Sequence, residues 1–139
     1  MKVVDILLVE DNEGDILLTT ETLQEGKILS TTRVARDGKF AIDILHENLA
    51  SGTLPDLILL DVNLPRLNGH EVLQYIKTHD GLKQIPVIML TTSSAERDVN
   101  MSYQNHANCY ITKPVEALEF INAISKIEDF WINIVRLPK

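Results

Sequence analysis

Cysteine, positive charge and long apolar runs are all scarce in this sequence, and each scarcity excludes something. Cys109 is the one cysteine, so no disulfide can form within the chain, and we expect a reducing compartment, the cytoplasm. Acidic residues outnumber basic ones by 20 to 13, and the net charge of -7 argues against nucleic-acid binding, which needs a basic surface. No apolar run reaches the roughly 18 residues of a membrane span, and the amino terminus lacks the pattern of a signal peptide. We therefore expect neither a membrane nor a nucleic acid as a partner.

Five apolar, strand-like runs alternate with amphipathic, helix-like runs along the 139 residues. This alternation predicts a parallel sheet with helices on both faces, and right-handed crossovers make the sheet doubly wound. The expected fold is a five-stranded α/β sheet of order 2-1-3-4-5 in a three-layer, flavodoxin-like sandwich. No repeat or linker is present, so residues 1–139 are expected to form one domain. The predicted strands are Val3–Val9, Thr31–Ala35, Leu57–Leu60, Pro86–Leu90 and Cys109–Thr112.

Charged side chains follow three of these strands. Glu10-Asp11 come after the first strand, Asp61 after the third, and Lys113-Pro114 after the fifth. The carboxyl ends of parallel strands meet in one crevice, which is where open α/β sheets bind ligands. Like charges about 4 Å apart repel by about 4 kcal/mol at an effective dielectric constant of about 20, so three carboxylates need a cation between them. Three carboxylates beside one lysine therefore indicate a site for a divalent cation and a phosphoryl group.

With these residues in place, the chain resembles the CheY-like receiver domain of bacterial two-component response regulators. The acidic pair, Asp61, Thr91 and the Lys113-Pro114 pair all fall at motif positions of that family, and the resemblance covers nearly the whole chain. A closer resemblance, to the stand-alone response regulators associated with bacterial phytochromes, rests on three stretches. These are Val9 to Ile16, Ala107 to Pro114, and the ending from Phe130-Trp131 to Leu137-Pro138.

The resemblance implies that Asp61 is the phosphoacceptor, since a carboxylate can attack phosphorus and hold an aspartyl phosphate. It also implies a Mg²⁺ ion, which prefers oxygen ligands and commonly bridges carboxylates and phosphate. Asp11 and Asp61 would bind the ion together with the main-chain carbonyl of Asn63. Glu10 would act mostly through water, although many members of the family have aspartate at that position.

The other site residues follow from the same resemblance. Lys113 would pair with a phosphoryl oxygen and stabilise the charge that develops during transfer, and Pro114 is expected to follow a cis peptide bond, which costs about 0.5–1 kcal/mol at proline. The Thr91 hydroxyl and the Thr92 backbone N–H would donate to the phosphate. Thr91 and Tyr110 would form the switch, in which the threonine moves toward the phosphate and the tyrosine rotates into the space it leaves. A static tyrosine at the sheet edge is the alternative for Tyr110.

Histidines are not expected among the metal ligands. His106 stands where many members of the family have glycine, which allows a positive φ after the fourth helix. The histidine must either adopt that conformation or reshape the loop. The remaining histidines, His46, His70 and His79, are expected in helices away from the crevice.

A C-terminal helical extension, about residues 128–139, continues the apolar pattern beyond the last helix. A receiver domain does not need these residues for its own core, and an apolar stripe of this kind usually covers something. Two interpretations remain open. The stripe packs back on its own domain, or Phe130 and Trp131 form a homodimer contact, with Trp131 as the anchor because tryptophan is enriched in binding hot spots.

The sequence therefore predicts a single-domain response regulator of a phosphorelay. Its partner would be a sensor histidine kinase or a phosphotransfer protein, with a phytochrome-type kinase as one candidate. Phosphorylation would change the surface formed by the fourth helix, the fifth strand and the fifth helix. The protein would promote only its own phosphorylation and dephosphorylation, so it is expected to be a signalling module and not an enzyme.

Three other classes fit the residues less well. An aspartate-nucleophile phosphatase usually has a second acid two residues after the nucleophile, where this chain has Asn63. A flavin-binding electron carrier of the same fold needs a phosphate loop rich in Ser, Thr and Gly, where this chain has Glu10-Asp11. A pseudo-receiver that acts only by binding would lack site residues, and none is missing here.

Overall fold

Five parallel strands form one sheet in the order β2-β1-β3-β4-β5 in the computed structural model, which describes residues 3–134. Each pair of neighbouring strands in the sheet is parallel, from the β1–β2 pair, where Val4 lies opposite Ser30, to the β4–β5 pair, where Thr91 lies opposite Thr112. The predicted fold class and strand order are confirmed. The strands are β1 Val4–Val9, β2 Ser30–Ala35, β3 Leu57–Leu60, β4 Val87–Thr91 and β5 Cys109–Thr112.

Five α-helices connect and cover the strands, and a short π-helical segment follows the last of them. We call this segment, Glu128–Ile134, the C-terminal extension. Among residues 3–134, no helix combines the length and the apolar character that a membrane crossing requires. The helices are α1 Glu13–Glu25, α2 Gly38–Ser51, α3 Gly69–Thr78, α4 Glu96–Gln104 and α5 Ala117–Ile127.

Side-chain alternation along the central strands builds two separate cores, one on each face of the sheet. In β1, Leu7 and Val9 belong to the core under α2 and α3, whereas Ile6 and Leu8 belong to the core under α1 and α5. All four are almost fully buried. Successive residues of a strand point to opposite faces, so a strand covered on both sides has to be apolar throughout. The wholly apolar β3, Leu57–Leu60, follows the same rule.

The start of α3 lies directly against the end of β3. A Cβ atom added to Gly69 would lie 2.0 Å from the Asp61 carbonyl oxygen, so only glycine fits at this contact. The side chain of Asn68 caps the helix by accepting the Glu71 N–H, and Glu71 reciprocates at the Asn68 N–H. Asn68-Gly69 therefore fixes how closely α3 approaches the strand end that carries Asp61.

His106 adopts the left-handed conformation, with φ at 69°. Of the two alternatives, a tolerated positive φ or a reshaped loop, the structure has the first. Left-handed backbone is uncommon outside glycine, and histidine is among the residues that occupy it more often than most. The Ala107 N–H still bonds to the Ser102 carbonyl at 3.0 Å and closes the end of α4.

The C-terminal extension is helical, as predicted, but its hydrogen bonding is π and not α. At its first residue, Glu128 accepts the Lys27 N–H at 3.2 Å, which ties the extension to the turn after α1. Trp131 and Ile132 are partly buried against the core under α1 and α5, whereas Phe130 is 51% exposed. Packing on its own domain therefore accounts for Trp131 and not for Phe130. Residues 135–139 of the predicted extension lie outside the described part of the chain.

Candidate functional site

The three predicted carboxylates come together at the ends of β1 and β3. One oxygen from each of Glu10, Asp11 and Asp61 lies within 4.8 Å of the other two. Glu10 and Asp61 are buried, at 2% and 5% exposure, whereas Asp11 is exposed. Backbone hydrogen bonds fix their positions, because the Glu10 N–H bonds to Ala35 in β2 and the Asp61 N–H bonds to Val9 in β1. Glu10 and Asp61 thus form the buried part of the cluster, and Asp11 lies on its solvent-exposed side.

Lys113 lies among these acids with its side chain only 2% exposed. Its ammonium donates to Glu10 Oε1, to Asp61 Oδ2 at 3.1 Å and to Asp15 Oδ2 at 2.9 Å. A lysine ammonium has three N–H donors and no acceptor. All three donors therefore have a carboxylate partner, and the ammonium is held in one place.

Asp15 was not predicted as a site residue. It lies in the first turn of α1, where its backbone N–H is capped by the Asn12 side chain at 2.9 Å. Its carboxylate links α1 to Lys113, which directly follows β5. A sequence signal existed, since an acid in a first helical turn after the acidic pair points back toward the strand ends.

The surroundings of Glu10 and Lys113 raise the pKa of both side chains, for different reasons. Burial raises the pKa of Glu10 to about 7, with Asp61 adding to the shift and the hydrogen bond from Lys113 opposing it. Burial alone would lower the pKa of Lys113, but the hydrogen bond to Glu10, the charge of Asp61 and the hydrogen bond to Asp15 outweigh it and raise the pKa above its ordinary value. Lys113 is therefore a permanent cation among acids that need one.

Both oxygens of Asp61 have defined neighbours. Oδ2 accepts from Lys113, and Oδ1 accepts from the Asn63 backbone N–H at 3.1 Å. Asn63 itself is exposed and lies in the loop that follows β3. The four residues predicted from their positions after strands thus lie together, and Asn63, which only the family resemblance implied, lies beside them.

The expectation of a cis bond before Pro114 is wrong. No peptide bond among residues 3–134 is cis, so the Lys113–Pro114 bond is trans. Trans is the intrinsically favoured isomer at proline, by about 0.5–1 kcal/mol. With the trans bond, the Lys113 ammonium contacts the carboxylates of Glu10, Asp15 and Asp61. These contacts therefore do not require the less favoured isomer.

Thr91 and Thr92 occupy contrasting environments at the end of β4. Thr91 is fully buried, and its Oγ1 accepts the Ser93 N–H at 3.3 Å, whereas Thr92 is exposed. Tyr110 in β5 is half-buried against the core under α2 and α3. Its hydroxyl donates to the Ser93 carbonyl at 2.8 Å. The two predicted switch residues therefore share one neighbour, Ser93.

A second polar group missed from the sequence lies beside Ser93. Ser93 Oγ donates to Asp98 Oδ2 at 2.5 Å, and the other oxygen of Asp98 lies 2.9 Å from His70 Nε2. His70 lies in a helix, as expected, and α3 places it in contact with Asp98. These hydrogen bonds hold the pKa of Asp98 below its usual value, Ser93 contributing most. Contacts between the first turns of two helices leave no spacing signal in sequence.

Comparison with known proteins identifies the arrangement. The response regulator receiver domain family matches residues 6–125. The chain belongs to this family. Response regulator Rcp1 of Synechocystis sp. is 43% identical over 135 residues, which cover 96% of this chain and 92% of Rcp1. The crystal structure of the phosphorylated cyanobacterial phytochrome response regulator RcpA has a TM-score of 0.95 at 41% identity, covering 99% of this chain and 100% of that one. The Mn²⁺-bound form of Rcp1 has a TM-score of 0.92 at 42% identity, covering 98% and 99%.

The predicted family and the closer resemblance to phytochrome-associated response regulators are both confirmed. This chain is thus a receiver domain of two-component signalling, and receiver domains are signalling proteins. Its acidic cluster at the strand ends has the oxygen ligands that a hard divalent cation prefers.

Proposed function

We propose that this receiver domain accepts a phosphoryl group on Asp61 from a phosphohistidine and works as a single domain. The observation that carries the proposal is the buried Asp61 carboxylate with one oxygen on Lys113 and the other on the Asn63 N–H. In the transfer, an Asp61 oxygen forms a bond to phosphorus as the bond from phosphorus to the donor imidazole nitrogen breaks, and the electron pair stays on that nitrogen. The donor thereby returns to a neutral histidine after it takes up a proton.

Asp11, Asp61 and the main-chain carbonyl of Asn63 would hold Mg²⁺, with Glu10 beside them. The oxygen donors present fit this ion, since Mg²⁺ is typically held by one or two carboxylates and completes its shell with water and phosphate. When bound, it neutralises charge on the phosphoryl oxygens. The relative Rcp1 has a solved Mn²⁺-bound form, which supports the binding of a divalent cation by this chain.

Lys113 would supply the fixed positive charge for the transferred group. Its Nζ lies 3.1 Å from Asp61 Oδ2, so it is already placed beside the carboxylate that would accept the phosphoryl group. Preorganised charge of this kind stabilises the transition state without the cost of rearranging the site. The Thr91 hydroxyl and the Thr92 N–H would donate to the remaining phosphoryl oxygens, and the loss of phosphate by hydrolysis would reset the domain.

Thr91 and Tyr110 would transmit phosphorylation to the surface formed by α4, β5 and α5. The Tyr110 hydroxyl bonds to the carbonyl of Ser93, two residues after Thr91. A movement of Thr91 toward the phosphate would therefore change the position at which Tyr110 is held. The outcome would be a shift in population between two conformations of this surface. Its extent would be set by how much more strongly the phosphorylated site favours one conformation over the other.

A sensor histidine kinase or phosphotransfer protein would dock beside the crevice, and the phytochrome-associated relatives make a phytochrome-type kinase our first candidate. Leu17 on α1 and Val115 after β5 are 57% and 101% exposed. The bond from Asp15 to Lys113 joins these two segments at the crevice. The chain would meet this partner in the cytoplasm.

A homodimer through the C-terminal extension is the second interaction that we propose. Phe130 leaves half its surface exposed and meets Trp131 edge to face, with 5.7 Å between ring centroids. An apolar groove lies beside this pair, and Leu118 on α5 is also 75% exposed. A second copy would cover these side chains. The groove is lined by Ile111, Ala123, Lys126, Ile127, Phe130 and Trp131.

Intact-mass spectrometry after incubation with acetyl phosphate tests the proposed phosphorylation. We expect a gain of one phosphoryl group that requires Mg²⁺, disappears in Asp61→Asn, and persists in Asp43→Asn. Asp43 is a matched control because it is an exposed aspartate paired with Lys39 on α2. If no gain appears in either metal condition and beryllofluoride does not bind, the chain is a pseudo-receiver and the proposal is wrong.

A further inference from the structure

We propose that Asp98 is a positioning residue that ties the two switch residues to α3 by way of Ser93 and His70. The inference rests on the proposed function, in which Thr91 and Tyr110 respond to phosphate at Asp61. Nothing in the expected switch requires a histidine on α3 or an acid on α4. Asp98 accepts a hydrogen bond from Ser93, and His70 contacts Asp98 in turn, which is the reason to assign both residues a part.

Ser93 is the residue on which the contacts converge. Its N–H donates to Thr91 Oγ1 at 3.3 Å, and its carbonyl accepts the Tyr110 hydroxyl at 2.8 Å. Its own hydroxyl donates to Asp98 Oδ2 at 2.5 Å, the shortest of the three bonds. Any displacement of Ser93 therefore changes the surroundings of both switch residues at once. Asp98 is the group that restrains it.

His70 completes the chain from the α3 side. Its Nε2 lies 2.9 Å from Asp98 Oδ1, and the two side chains are only 12% and 17% exposed. An ionised carboxylate only accepts hydrogen bonds, so the proton of this contact belongs to His70 Nε2. His70 follows Gly69, whose Cα lies against the carbonyl of Asp61. The chain of contacts thus runs from the helix that abuts the phosphoacceptor to the loop that carries the switch.

A simpler role for Asp98 is that of a helix cap. The first residue before α4, Ala95, has no side-chain cap, and its N–H instead lies 3.4 Å from Ser93 Oγ. Asp98 in the first turn also interacts favourably with the helix dipole. Capping explains Ser93 and Asp98, but it gives no part to His70. The two interpretations therefore differ in what a change at His70 does to Tyr110.

The test is ¹⁹F NMR of protein labelled with 3-fluorotyrosine, without metal or phosphate. The chain has three tyrosines, so the spectrum has three signals, and Tyr110→Phe identifies the one that matters. We compare wild type, His70→Phe, Ser93→Ala and the double variant. Residues that act through a shared partner are non-additive in such a cycle. Glu96→Gln is the matched control, because Glu96 is an exposed acid in the same first turn of α4.

We expect His70→Phe and Ser93→Ala each to shift the Tyr110 signal, and the double variant to give the same shift as Ser93→Ala alone. Glu96→Gln leaves the signal at its wild-type position. His70→Gln, which restores an N–H donor, is expected to move the signal back toward wild type and also serves if the phenylalanine variant does not fold. A wild-type signal in folded His70→Phe, or two shifts that simply add, overturns the proposal. Because no phosphate is present, this failure is distinct from a failure of Asp61 to be phosphorylated.

Discussion

Lys113, directly after β5, lies in a charged crevice, whereas Ile111, two residues earlier in β5, lines an apolar groove. At the crevice, Lys113 has a carboxylate partner for each of its three N–H donors. At the groove, Ile111 and Trp131 form walls, but half of Phe130 faces solvent. Both buried acids of the crevice, Glu10 and Asp61, accept a hydrogen bond from Lys113. No described residue covers the exposed half of Phe130 in the same way. Substitutions at the crevice and at the groove should therefore have different effects.

The largest expected effect is at the crevice. Lys113→Met removes the cation that compensates Glu10 and Asp61, and loss of one partner of a buried charge pair costs about 3–5 kcal/mol. Urea unfolding without metal should therefore show a strongly lowered free energy of unfolding. Lys83→Met, at a half-exposed lysine paired with Asp80, should change it by less than about 1 kcal/mol. An unchanged midpoint in Lys113→Met would mean that the crevice does not need its cation.

Binding of Mg²⁺ to the acidic cluster of Glu10, Asp11 and Asp61 should also change the stability of the fold. A ligand that binds only the folded state stabilises it by about 2.7 kcal/mol at 100 times its dissociation constant. We expect Mg²⁺ to raise the thermal midpoint of the wild type and of Asp43→Asn, and to have little effect on Asp11→Asn. Asp11 is exposed, so this variant should fold normally. An equal rise in Asp11→Asn would place the ion elsewhere.

On the apolar side, two neighbouring aromatic residues separate the two interpretations of the extension. Trp131→Ala removes a side chain packed on the core and should lower the free energy of unfolding by about 2 kcal/mol, less than the roughly 3–5 of a fully buried aromatic. Phe130→Ala should cost less than about 1 kcal/mol in stability but weaken self-association in sedimentation velocity. If wild type and Phe130→Ala are equally monomeric, the proposed homodimer contact is wrong.

The smallest effect should come from two acids in the same turn of α1. Asp15→Asn loses a charged hydrogen bond to Lys113 at a side chain that is one-quarter exposed, and we expect a loss of about 1 kcal/mol. Glu13→Gln, whose exposed partner is Arg36, should give no measurable change. Urea unfolding of both variants provides the comparison. Equal effects would show that the position of the acid beside Lys113 is of no consequence.

The strand-end residues could be predicted because topology alone brings them together. Apolar runs place Glu10, Asp61 and Lys113 after their strands, and a doubly wound parallel sheet then directs these strand ends to one crevice. The bounds of β1, β2 and β4 differ from the prediction by one residue, whereas those of β3 and β5 are as predicted. The strand order and the grouping of these three charged residues could therefore be predicted without knowledge of side-chain packing.

Other features depended on details that spacing does not carry. Asp15 and the His70–Asp98 contact arise from how the first turns of helices face each other, and the orientation of a helix is set by packing. The isomer before Pro114 depends on a difference of only about 0.5–1 kcal/mol, which a motif cannot fix. The contact of Glu128 with the turn after α1 joins residues 101 positions apart, which spacing along the helix does not indicate. These are the places where tertiary structure overrides local pattern.

The most direct test of the account is to locate the phosphoryl group after reaction with acetyl phosphate and Mg²⁺. Peptide mapping by tandem mass spectrometry, on protein digested under conditions that preserve acyl phosphates, gives the position. The account predicts one modified residue, Asp61, in the peptide that follows β3. A phosphoryl group on Asp11, Asp15 or any other residue while Asp61 stays unmodified would contradict it.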